Sequence, residues 1–427
     1  MSGRGRRALR AGLWVATIAL VCVVGVALWR TSTAGPARAL RRDIVARAGA
    51  RFPRPPHVPA PDPGTFGERA GAPWDSLAAL EAGSADVELC RAVREGEQRF
   101  DALTPSCRRE LKAGAAALGA LLSATHAAEA GPPEGLGTFD EPSPPGRPRG
   151  WSTLPYAAKL GALRMRELLS EGDAAGAVVL CLDLQGLARD ASWGSGLAGR
   201  LPALTVAEVA FRPCAAALDA APVAVKRRAA EALARVEEGT PSFSVVLREY
   251  GLGARAQAFA PYLGAPDGLP PRVVAWGREN APEGRTDWRF ALALGDTWHR
   301  IDARLEAAVE AAALPMPRGA DRLDVIAAGE RPLLNPRAVF AFPQLGRAAR
   351  SDARARAQLR LLRAAIASDT LRAEKGRWPS SAELTSALGG GAPMVEVHED
   401  VATLVDPAVP RGELSLSVRP DDPAAPR

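Results

Sequence analysis

Lysine is nearly missing from this chain of 427 residues: Lys112, Lys159, Lys226 and Lys375 stand against fifty arginines. Beside abundant Ala, Gly and Pro, that usage is the codon signature of a GC-rich bacterial genome and says nothing of activity. Histidine is equally scarce, at four residues, and the five cysteines include no C-x-x-C pair. A zinc ribbon or a thioredoxin-like redox site needs such closely spaced thiols, so neither is expected. G-x-S-x-G, S-x-x-K, H-E-x-x-H and the P-loop pattern do not occur. Each of them fixes a nucleophile, a base or a phosphate cradle at set spacing. The serine-hydrolase, penicillin-binding and nucleotide-hydrolysis templates therefore fail at the first step.

Long apolar runs are also lacking, with one exception. Ala11 to Trp29, AGLWVATIALVCVVGVALW, is uncharged over nineteen residues. As a helix it spans about 28 Å, against a bilayer core of ~30 Å. Trp14 and Trp29 lie near its ends, where indoles favour the headgroup layer. The run is longer than the usual signal-peptide core, so an uncleaved signal-anchor is expected, with cleavage at Ser32-Thr33-Ala34 as the rival reading. Cys22 makes a poor lipoprotein acceptor, because Leu20-Val21 lacks the small residues such a site needs.

The formal charge of +6 is unevenly spread. Residues 1–54 carry eleven arginines and one acid, Asp43, a net +10 that leaves −4 for the remainder. The basic excess flanks the apolar run, where Arg30, Arg41 and Arg42 can meet anionic lipid headgroups. A nucleic-acid face would need clustered basic residues in the body, so no nucleic-acid partner is expected. Arg4, Arg6, Arg7 and Arg10 favour a cytoplasmic N-terminal arm. Arginines on the far flank nearly cancel that bias.

Gly35-Pro36 is expected to break the apolar helix. Phe52 onward, FPRPPHVPAPDPG, reads as a stiff polyproline-like spacer. From Trp74 the texture is helical, with Thr104 as an N-cap and Pro105 at the first helical position. Residues 131–150 are rich in breakers and read as a loop between two helical subdomains. Pro155–Ser170 and Ala174–Arg189 form a helix pair joined at Glu171-Gly172-Asp173, the second apolar almost all round. The pair resembles the helix–turn–helix unit of tetratricopeptide-like repeats, but no copy recurs at a fixed period. Trp288 to Ala313 is the longest expected body helix. Asp352–Lys375, Ser381–Leu388 and strands near Met394–Val397 and Glu413–Val418 complete the chain.

The body cysteines allow three pairings. Cys181 and Cys214 lie equally far from a turn near Leu197, so two antiparallel helices bring them level. Cys90 and Cys107 meet only if the intervening helix breaks near Gly96. Ordinary buried thiols are the alternative in both cases.

Gly194-Ser195-Gly196-Leu197-Ala198-Gly199 matches G-x-G-x-x-G, yet no strand precedes it and Leu201-Pro202 follows, so a loop is expected. Asp296, His299 and Asp302 share a helix face at three-residue spacing that could hold a metal ion, but carboxylates flanking a histidine on a solvated face are common, so no metal site is expected there. Asp183 and Asp190 are the catalytic candidates. With Arg189 they are expected to form an ion pair tying their helix to the following loop.

Leu359, Leu362 and Ile366 form a stripe on a helix that Gly376 caps, followed by Arg377-Trp378-Pro379. This resembles the helix-then-G-R-Y-P segment of type II secretion major pseudopilins. Asp406-Pro407 and Leu414–Val418 are similar to the sheet portion that follows it. The likeness covers the last seventy or so residues. It implies a small helix-plus-strand module and no filament-forming role, since the segment is C-terminal and the anchor lacks a prepilin cleavage site.

These readings converge on a mainly α chain: arm 1–10, transmembrane helix 11–29, basic and Pro-rich spacer 30–73, helical body 74–350 and an α+β tail 351–427. The expected role is a non-enzymatic, protein-binding envelope component in the inner membrane, its bulk periplasmic, with the membrane and other envelope proteins as partners. No cofactor is expected. An envelope enzyme using Asp/Glu acid–base chemistry is the alternative.

Overall fold

A computed structural model of the chain describes residues 3–84, 90–140, 150–263, 267–279, 301–328, 344–390, 393–398, 401–409 and 414–418. It is mainly helical, with a small sheet module near the C-terminus. The chain divides into two units.

The first unit is Met1–Ala50 with Leu252–Ile301 and Pro332–Ala338. Helix α1, Gly3–Ala48, runs unbroken through Gly35-Pro36. Pro36 removes one i→i−4 bond, but the Ala- and Arg-rich residues after it favour helix strongly enough to continue it. The side chains of Trp14 to Val24 are exposed, whereas Leu40 and Ile44 are buried. Arg41 Nη1 donates to the Leu263 carbonyl at 3.2 Å, and Arg42 is exposed. Trp29 and Arg30 lie on α1, their side chains outside the described residues.

The second unit is Arg51–Gly251 with Asp302–Arg331 and Val339–Arg427. One core joins α2 (Phe66–Gly83), α4 (Pro105–Ala124), α5 (Thr153–Ser170), α6 (Ala174–Asp190), α7 (Gly196–Ala220), α8 (Val223–Gly239) and α13 (Leu345–Lys375). Between α8 and α13 the chain forms α9 (Phe243–Phe259), α10 (Pro271–Glu279, which belongs to the first unit), α11 (301–312) and α12 (Arg318–Ala328). Residues on both sides of 131–150 contribute to the core, so that loop does not separate a pair of subdomains; 141–149 lie outside the described residues. The tail is not separate either. Leu359, Leu362 and Ile366 of α13 enter the core, and α13 packs on α7 and α8. At 31 residues α13 is the longest described body helix. Of the expected helix at 288–313, 301–312 is helical and 288–300 lies outside the described residues.

Local signals place several ends. Thr104 accepts from the Cys107 amide with Pro105 behind it, and Asp173 caps α6 by accepting from Gly176. Gly376 is left-handed (φ +68°) at the end of α13. Helix α14, Ser381–Leu388, carries a capping box between Ser380 and Glu383. Strands β4 (Met394–His398), β5 (Val401–Val405) and β6 (Ser415–Val418) form an antiparallel sheet in that order.

Helix α7 is long and apolar enough to cross a membrane, yet more than half of it is buried in the core. It opens inside the glycine-rich run, at Gly196, and passes through Pro202. Helix α6 precedes that run where a dinucleotide site requires a strand.

Four thiols are joined in pairs. Cys181 on α6 and Cys214 on α7 bond at a Cα separation of 5.2 Å, and Cys90 bonds Cys107 at 6.3 Å. The second pair is set by α3 (Arg91–Glu95), which stops at Gly96 in the left-handed region (φ +81°) and turns the chain back. Cys22 is free.

Candidate functional site

The proline-rich run is not a free spacer. Its first residues form β1 (Phe52–Pro53), antiparallel to β3 (Ala127–Ala130), and β2 (Asp62–Thr65) joins β3 on the other side. Between β1 and β2 the chain lies over the C-terminal half of α6 as a strap. Prolines cannot donate ladder bonds, so the strap is held by side chains instead.

Asp190 is the centre of that attachment and is fully buried. Arg54 donates to it twice, Nε to Oδ1 and Nη2 to Oδ2, both at 2.6 Å. Arg189 Nε donates to Oδ1 at 2.7 Å. Further guanidinium protons go to backbone carbonyls, Arg54 to Ala127 and Thr125 and Arg189 to Pro55, while Arg189 Nη2 also reaches Asp190 Oδ2 at 3.2 Å. A carboxylate so enclosed neutralises two cations and has no route to a substrate. Asp190 is therefore a structural residue. The pair does tie α6 down, but to the strap 136 residues earlier and not to the following loop.

Asp183, nearly two turns back on α6, faces two imidazoles. His57 Nε2 lies 3.1 Å and His126 Nε2 2.8 Å from the same oxygen, Oδ1. His57 comes from the strap, and His126 from the turn between α4 and β3. Its carbonyl accepts from the Asp62 amide at 2.9 Å, fixing that turn to β2. Gly186 lets the His57 ring rest on α6: a Cβ there would stand 2.9 Å from its Cε1. Arg189 Nη2 lies 3.4 Å from His57 Nδ1, which assigns the ring proton to Nε2 and makes His57 a donor to Asp183.

Charge and exposure differ across the trio. Side-chain exposure is 1% for His57, 11% for Asp183 and 28% for His126, so the group opens to solvent at His126. Burial pushes Asp183 up, but the bonds from His126 and His57 outweigh it and hold the carboxyl below its ordinary range. Burial lowers the His57 imidazole against the pull of Asp183. The Asp183 bond raises His126.

Each of the three residues offers one ligand atom, all within 4.8 Å of one another, so the trio could hold a metal ion. Of the candidates named from sequence, Asp183 belongs to this group. Asp296 and His299 lie outside the described residues; Asp302 is half-buried on α11. His57, His126 and Arg54 were not singled out by sequence. The available signal was compositional and covered only part of the site: His57 and Arg54 stand in the proline-rich run read as a spacer, whereas His126 lies in a segment read as helix.

No family model, no curated protein and no solved structure matches the chain.

Proposed function

We propose that this chain is a single-pass envelope protein, held in the inner membrane by α1, whose helical body is a non-enzymatic protein-binding component on the periplasmic side. One observation carries the reading: the apolar side chains from Trp14 to Val24 are exposed along a helix. Such a contiguous apolar surface calls for lipid or protein cover. Arginines at both ends suit anionic headgroups. The two disulfides fit an oxidising compartment, which supports a body outside the cytoplasm. Asp190 and Asp352, the most deeply buried carboxylates of α6 and α13, are each taken up by arginines. The pseudopilin likeness is retained as a likeness of the α13–α14–sheet module only.

An envelope enzyme remains the second reading, favoured by the solvent-facing edge of the Asp183 trio. Topology and attachment are tested together with Val325→Cys, an exposed position on α12. A membrane-impermeant maleimide should label it in intact spheroplasts, and the labelled chain should sediment with membranes after carbonate washing. Labelling only after lysis, or recovery in the soluble fraction, contradicts the proposal. Crosslinking and pull-down from detergent-solubilised membranes tests the binding role; no recurrent partner, together with turnover lost on Asp183→Asn, favours the enzyme.

A further inference from the structure

We infer that His57, His126 and Asp183 form a binding site for a borderline divalent transition-metal ion, of which Zn2+ is the type, with one coordination position open to solvent. Residues 57, 126 and 183 reach one point from a strap, a turn and a helix. Half of the chain's histidines meet there.

The geometry fits an ion with little movement. Zinc sits about 2.0–2.2 Å from nitrogen and carboxylate ligands, so tetrahedral ligands stand roughly 3.3 Å apart. The observed separations from Asp183 Oδ1 are 3.1 and 2.8 Å, and all three ligand atoms lie within 4.8 Å of one another, so the two rings close on the ion as it binds. Small rotations of His126, the most exposed of the three, open the space. Two imidazoles and one carboxylate are the donor set of zinc sites that keep a free position, and of facial-triad iron sites. Calcium and magnesium demand oxygen ligands and are disfavoured by two nitrogens.

The surroundings are built to hold the ligands. Gly186 admits the His57 ring, and a Cβ at that position would collide with it. The Arg54–Asp190–Arg189 bonds fix the strap that carries His57. The Asp62 amide fixes the His126 carbonyl. Outer contacts of this kind orient metal ligands. One contact opposes a cation: Arg189 Nη2 beside His57 Nδ1 at 3.4 Å. Loading moves the Nε2 protons of His57 and His126 to Nδ1, with any second proton on His126 released to solvent, and gives up that long bond. Arg189 keeps Asp190 and the Pro55 carbonyl, so its own charge stays matched. The ion would also bond strap, turn and helix together.

The test uses the untagged full-length chain in detergent with Cys22→Ser, which removes the free thiol as a competing ligand. After chelation, Co2+ is titrated in and followed by visible absorption. One equivalent with the intense d–d bands of a four- or five-coordinate ion is expected, displaced by Zn2+. His126→Ala should abolish the bands while keeping wild-type circular dichroism and both disulfides. Asp183→Asn should weaken binding by at least the roughly 10–100-fold that follows loss of an outer-shell partner. Sub-stoichiometric uptake by the parent protein overturns the inference, as does binding undiminished in both variants. A trio that only exchanges protons gives the first of these results.

Discussion

Buried carboxylates in this chain are defined by their arginines. Asp190 accepts from Arg54 and Arg189 with no solvent contact, so Asp190→Asn strands two guanidiniums in the interior. Breaking a buried pair from one side costs about 3–5 kcal/mol. Urea denaturation should show a loss of that size; a change below ~1 kcal/mol would mean that Asp190 is not the centre of the strap's attachment. Asp352 gives the corresponding pH effect. Burial pushes its carboxyl up, but Arg200 and Arg356 outweigh that and hold it below its ordinary value. Its folded pKa thus lies below its unfolded one, so its contribution is complete above about pH 4 and lost as pH falls further. The denaturation midpoint of wild type should drop steeply there, and that of Asp352→Asn should drop less. Equal acid slopes would contradict the assignment. Residue roles that depend on near neighbours were legible in sequence: Thr104 with Pro105, Asp173 after Gly172, Gly376 at a helix end. The His57–Asp183 and His126–Asp183 contacts span 126 and 57 residues, and no periodic pattern records such distances.

At the scale of elements, the strap is the feature that sequence patterning misreads. Prolines exclude helix and central strand, which is correct for residues 53–63, yet they do not exclude burial. Phe52, Arg54 and His57 are all buried, and the side chains make the attachment that the missing N–H groups cannot. Gly186 on α6 is the matching element of the receiving surface. In an ordinary helix Gly→Ala stabilises by roughly 0.5–1 kcal/mol. Here a Cβ would stand 2.9 Å from His57 Cε1 and 3.3 Å from Thr125 Cβ. Gly186→Ala should therefore reverse sign and lower stability, within the ~1–3 kcal/mol typical of overpacking. Thermal or urea denaturation checks this; a raised midpoint would mean that His57 does not lie on α6. The bend at Gly96 shows a related effect. Sequence marks the glycine, but only the left-handed turn with the return into α4 brings Cys90 level with Cys107.

At the scale of the whole molecule, the helical class was legible from apolar periodicity, and the two outer strands of the sheet module were expected, whereas its central strand β5 was not. That the module shares the core of the body was not legible, because a stripe such as Leu359, Leu362 and Ile366 shows that a helix has a buried face without showing what covers it. That face belongs to the same core as α5 to α8. The charge distribution remains the broadest feature, with arginines around the first apolar stretch and a mildly acidic remainder. Membrane anchoring of α1 is the claim on which the proposed localisation and role depend, and the chain carries its own probe. Cys22, the free cysteine, is exposed within the apolar stretch. In washed native membranes a membrane-impermeant maleimide should leave Cys22 unlabelled, and dissolving the same membranes in SDS should label it fully. Labelling of Cys22 in the intact membranes, or the full-length chain in the soluble fraction with its thiol reactive, would contradict a membrane-spanning α1.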